Sequence, residues 1–180
     1  MGSIFQSLGR TVVAGLLLLV GVIAATGIDL VNGLRWAHTI SGVLWIGLLY
    51  YFNFVQIPSM PKIPDEQKPA IGKVIAPTAL FWFRWAALAT VVTGLVVAAG
   101  AGYLVPALTL EAPIIGIGMW LALVMAFNVW FIIWPNQKKA LGIVVVEAAD
   151  KAKAARLAML TSRFNTMLSI PMLYCMIAQS

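Results

Sequence analysis

One histidine, one cysteine and six carboxylates in 180 residues leave few kinds of chemistry open. Zinc and copper sites need three or four protein ligands, and His38 has no second histidine to complete such a set. A bis-histidine haem within one protomer is excluded on the same count; methionine ligation, or a histidine from another subunit, is not. Cys175 cannot close a disulfide within the chain and has no CxxC or CxxCH company, so neither a covalent haem nor a structural zinc site is encoded. Also missing are a GxGxxG loop after a strand, a Walker loop and a Ser-His-Asp arrangement, which removes the signatures of nucleotide binding and serine hydrolysis. Charge is scarce too, at 10% of residues against about 25% in soluble domains.

What the chain has in quantity is apolar surface: 62% hydrophobic residues and a mean hydropathy of +0.95. Such a chain belongs in lipid, where backbone groups must be satisfied within the segment, and no ten-residue alternation suggests a barrel. An all-α integral membrane protein follows, a bundle of about five transmembrane helices in a single domain, 1–180. The apolar runs place the spans at about 11–28, 39–57, 79–102, 112–134 and 157–178. The first run, behind Arg10, mimics a signal peptide and is expected to stay on the protein as a span.

The formal charge of +6 does not point to nucleic acid, because the cations flank apolar spans instead of forming a stripe. Arg10, Lys62, Lys68, Lys73, Arg84, Lys138, Lys139, Lys151, Lys153, Arg156 and Arg163 fall on one side of the predicted membrane, leaving Arg35 on the other. The positive-inside bias therefore predicts a cytoplasmic N-terminus and a periplasmic C-terminus, with Trp36, Trp82, Trp85 and Trp134 near span ends. The second connection, IPSMPKIPDEQKPAIGKVIAP, contains five prolines and is expected to be extended or turn-rich. The fourth carries VEAADKAKAARLAM, with Glu147 four before Lys151 and Asp150 three before Lys153; this spacing predicts a solvated helix that continues into the last span and projects into the cytoplasm.

Sparse polar groups mark the candidate site. At 100° per residue His38, Trp45, Leu49, Phe52 and Gln56 form one stripe of the second span, flanked by Ser41, Gly42 and Asn53. A polar stripe inside a membrane is a functional-site hypothesis by default. For His38 three roles stand open: a hydrogen bond to a neighbour at the outer interface, ligation of a haem or metal, or acid–base work. Asn53, Arg84, Asn128, Arg163 and Asn165 need partners within the bundle, either across helices or on a substrate or cofactor. In the last span Thr161, Ser162, Asn165, Ser169 and Met172 share one face and Arg163 points away, while Pro171 predicts a kink. Gly94, Ala98 and Gly102 form a small-xxx-small series suited to close helix approach.

Four stretches, RWAHTISGVLWIGLLYYFNFVQIPSMP, WFRWAALATVVTG, NVWFIIWPNQKKALG and AARLAMLTSRFNTMLSIPMLYCMI, resemble the membrane domain of PuuD-type urate hydroxylases, the urate oxidase N-terminal domain family. The resemblance runs from about Arg35 onward and implies a multi-pass protein of the bacterial inner membrane. Founding members are proposed to oxidise urate to 5-hydroxyisourate and to pass electrons to a C-terminal cytochrome c domain. No CxxCH is present here, so a cytochrome c is expected as a separate periplasmic partner or not at all. Some family members carry a histidine where this chain has Phe164, which removes one imidazole from the implied site. His38, Arg84, Asn128, Arg163 and Asn165 match the motif positions.

Three functions follow as expectations: an accessory or anchoring subunit of a membrane redox complex, a urate-type oxidoreductase working with a separate cytochrome c, or a b-type haem electron-transfer subunit ligated through His38. In the second, His38, Trp45, Asn128 and Asn165 line the pocket and His38 accepts the proton. In every case the lipid bilayer and other membrane subunits are the partners.

Overall fold

The structure, a computed structural model, describes residues 2–178, and these are all-helical with no strand among them. The chain divides into two compact units, one ending at Gly33 and the other starting at Leu34. In the first, a short turn Gly2–Phe5 precedes helix α1, Leu8–Thr26. None of the α1 side chains is buried. A helix that exposes Val12, Leu16, Leu17, Leu18 and Val22 to its surroundings is matched to lipid, not to water.

Helix α2, Leu30–Lys62, enters the second unit at Leu34 and is followed there by α3, Lys68–Gly100. A five-residue helix α4, Leu104–Leu108, and then α5, Pro113–Ala140, and α6, Ala148–Ala178, complete the unit. By length and apolarity α1, α2, α3 and α5 can each cross a membrane, which makes this an all-α, multi-pass membrane protein. Four such helices, not five, meet that measure among the described residues. The helix outside it, α6, is long enough at 31 residues, but Ser162, Arg163, Asn165, Thr166 and Ser169 dilute its apolar run. The expected tail beyond Ala178 lies outside the described residues.

The helices of the second unit overrun the expected spans at one or both ends, because hydropathy falls where charged and polar residues appear whereas helical hydrogen bonding continues past them. The proline-rich second connection, expected to be extended or turn-rich, is mostly helical: only the bend and turn at residues 63–67 separate α2 from α3. The reason lies in where the prolines fall. Pro58 and Pro77 follow wide i→i+5 turns at Tyr51–Gln56 and Ile71–Ile75, and Pro135 follows a third at Asn128–Ile133. Each wide turn ends two residues before its proline. A proline offers no N–H to the carbonyl four residues back (Phe54, Lys73 and Phe131 here) and its ring crowds that carbonyl, so the preceding turn opens and the helix continues.

The core of the second unit joins Trp45, Leu49 and Phe52 of α2 to Phe83 and Ala87 of α3, Met125, Val129 and Ile133 of α5, and Met172 of α6. Phe52 and Phe83 meet edge-on, with ring centres 5.7 Å apart. A smaller cluster of Ala98, Ala107, Ile115 and Met119 binds α4 between α3 and α5. There Gly116 lets backbones touch: a Cβ at that position would lie 2.3 Å from the Ala107 carbonyl oxygen.

Candidate functional site

Helix α6 supplies the buried polar ladder of the second unit. The fully buried Asn165 donates from Nδ2 to the Met125 carbonyl at 2.9 Å and accepts on Oδ1 from Asn128 Nδ2 at 2.8 Å. One turn away, Asn53 of α2 donates to Ser162 Oγ at 2.8 Å and to the Leu49 carbonyl at 2.9 Å. Further along, the Tyr50 hydroxyl and Ser169 Oγ lie 3.0 Å apart, and Ser169 donates to the Thr166 carbonyl at 2.7 Å. Polar groups of α6 thus grip α2 and α5 on the face that carries Met172, while Arg163 is exposed on the other side.

The asparagines also bond to the backbone just ahead of two wide turns. Leu49 precedes the turn that begins at Tyr51, and Met125 precedes the one that begins at Asn128; each carbonyl receives an asparagine amide. The ladder therefore ties side chains to the helix backbone as well as joining the helices.

His38 stands apart from this ladder. Its Nδ1 lies 2.9 Å from the Thr90 carbonyl of α3, and the ring packs on Gly94, where a Cβ would come within 2.8 Å of Cε1. A carbonyl only accepts, so Nδ1 carries a proton, and in the neutral form of the ring the lone pair is on Nε2. Thr93 Oγ1 completes the pocket at 3.4 Å from Nδ1 and is itself held by the Ala89 carbonyl at 2.6 Å.

Near the basic end of the second unit the Arg84 guanidinium lies over the Trp134 ring, 3.5 Å from its centre, and donates to the Leu80 carbonyl at 3.2 Å. Lys138 Nζ lies 5.6 Å from the centre of the same ring. Among the described residues five buried side-chain atoms have no partner: Trp45 Nε1, Asn53 Oδ1, Gln56 Oε1, Trp130 Nε1 and Gln137 Oε1. These are the places where a water or a bound polar group would gain most.

Among the sequence-derived site residues, Asn128 and Asn165 meet each other, Asn53 meets Ser162, and Trp45 sits fully buried in the core. No hydrogen bond joins His38 to Asn128 or Asn165 among the described residues. Along α2, His38 lies roughly 22 Å from Asn53, which is one α6 turn from the asparagine pair. Thr90 and Thr93 escaped the sequence reading, and Trp134 entered it only as a span-end tryptophan. The TVVTG run ending at Gly94 was the available signal for the first two; nothing local marks Trp134 as the partner of an arginine fifty residues earlier.

The asparagine pair lies in the part of the chain that comparison with known proteins picks out. Residues 95–180 match the urate oxidase N-terminal family. The match takes in the end of α3 and all of α4, α5 and α6, with both asparagines of the pair, and leaves His38 and Arg84 outside it. No curated protein and no solved structure matches the chain.

Proposed function

We propose that the chain is an accessory or anchoring subunit of a membrane redox assembly, related to the membrane domain of urate hydroxylases. The urate oxidase N-terminal match over α4, α5 and α6 carries this reading. The use of polar groups in that segment supports it: Asn165 is occupied by Asn128 and the Met125 carbonyl, a bonding pattern that fixes helices. On this reading 1–180 is one membrane domain of a bacterial inner membrane, α6 is the fifth crossing with its polar face inward, and the basic flank is cytoplasmic. A large part of α2, α3 and α5 remains apolar and exposed, available to lipid or to larger subunits. Native electrophoresis of mild-detergent extracts tests it. Comigration with a much larger complex is expected; a stable solitary monomer would overturn the accessory role.

A second reading is favoured by His38. A ring fixed through Nδ1–H to a backbone carbonyl, with Nε2 left bare, is the arrangement of a metal-ligating or proton-accepting histidine. The chain would then oxidise urate or a related substrate with a separate periplasmic cytochrome c, His38 taking the proton, or ligate b-type haem through His38 near Trp45. A Soret band lost in His38→Ala would establish the haem arm, and a colourless protein would eliminate it. Urate-dependent reduction of cytochrome c that disappears in the same variant would establish the oxidase arm; absence of turnover with any acceptor would eliminate that.

A further inference from the structure

We infer that Arg84, Trp134 and Lys138 form a binding site for a phosphate group at the membrane surface, supplied by the headgroup of an anionic phospholipid. Two cations share one indole, at 3.5 Å and 5.6 Å from its centre, so their charges lie within about 9 Å of each other. At that separation, beside lipid, like charges repel appreciably, and a counter-ion is needed. No carboxylate supplies it: the ion pairs among the described residues are Lys68–Asp65 and Lys153–Asp150. Arg84 uses one donor on the Leu80 carbonyl, stacks its face on Trp134, and keeps the remaining N–H groups for an acceptor. A guanidinium held flat by a ring and backed by an ammonium suits a phosphate, which takes two parallel N–H bonds and a point charge.

Depth along the helices favours a lipid source. Trp134 is 21 residues from Pro113, roughly 32 Å along α5, close to the 30 Å thickness of a hydrocarbon core. Arg84 is 16 residues from Gly100, roughly 24 Å along α3, within reach of the same boundary for a side chain that snorkels. Trp82 and Trp85, on either side of it, are exposed at 53% and 47%, as interfacial indoles are. A phosphodiester in the headgroup layer would meet Arg84 and Lys138 at that level.

The test uses the whole protein in detergent, with native mass spectrometry of bound lipid during titration by phosphatidylglycerol, by phosphatidylcholine, and by inorganic phosphate. The wild type should retain phosphatidylglycerol in preference to phosphatidylcholine. Arg84→Gln and Lys138→Gln should each weaken that retention about fivefold, the worth of one basic contact at a membrane surface. Arg84→Lys should fall between, and Lys151→Gln, on a solvated turn, should change nothing. Tight uptake of inorganic phosphate lost in the same variants would keep the site and reassign its source to free anion. Equal retention of the two lipids with no uptake of phosphate, or unchanged retention in the half-exposed Lys138→Gln variant, would overturn the proposal even if Arg84→Gln failed to fold.

Discussion

Replacing Asn165 by leucine tests whether the polar ladder holds the second unit together. The substitution keeps the branched, four-heavy-atom shape of the side chain, though its methyls are bulkier than the amide, and removes two bonds, to the Met125 carbonyl and from Asn128. Interhelical hydrogen bonds in membranes average about 0.6 kcal/mol each, so the direct loss is about 1.2 kcal/mol. To this is added the Asn128 amide, on a side chain only 7% exposed, which now lacks its acceptor at a cost of about 1–3 kcal/mol. A total of about 2–4 kcal/mol follows, roughly 30- to 1000-fold in the unfolding constant. The Asn128→Leu/Asn165→Leu double variant leaves neither amide stranded and should cost less than the sum of the two single variants by at least about 1 kcal/mol. Equilibrium unfolding in mixed micelles, followed by tryptophan fluorescence, measures all three variants. Strict additivity of the singles would refute the reasoning, since it would mean that the two asparagines do not act on each other.

Gly116→Ala places a methyl against the Ala107 backbone oxygen, which cannot swing aside, and should destabilise the α4–α5 contact by about 1–3 kcal/mol in the same unfolding assay. Gly94→Ala pushes the His38 ring away from α3 and should lengthen or break the 2.9 Å bond to the Thr90 carbonyl; an unchanged imidazole N–H resonance would contradict this. Pro135→Ala restores the missing N–H behind the Asn128–Ile133 turn, so amide exchange across that turn should slow, whereas unchanged exchange would show that tertiary packing alone keeps the turn wide. The Lys68 hydrogen bond, with its charge, holds the Asp65 carboxyl below its ordinary pKa. The pair therefore adds local stability above the ordinary carboxylate range and loses it as pH falls through the lowered value. Because Asp65 is fully exposed, Asp65→Asn should leave the melting temperature at neutral pH unchanged.

Much of the fold was written residue by residue. Apolar runs of about twenty residues force helices because lipid offers no partner to a free backbone group, and four helices appear where such runs stand. The helical period turned Thr161, Ser162, Asn165, Ser169 and Met172 to one face and Arg163 to the other; Thr161 is half-buried, the other four are buried and the arginine is exposed. Transfer free energy and periodicity belong to single residues and short windows, which is why they can be read without a structure.

What the tertiary structure alone decided are the pairings. That His38 would find the Thr90 carbonyl, that Arg84 would lie on Trp134, and that Asn165 would reach the Met125 carbonyl depend on how far each helix rotates about its axis and where two helices cross. The wide turns before Pro58, Pro77 and Pro135 add an offset that a steady 100° per residue does not contain, and each offset changes which side chain faces a neighbour. The sequence by itself determined that helices form and which faces are polar. Their partners were chosen by packing, because a bond between residues fifty positions apart exists only once two rigid helices have settled at one distance and one rotation.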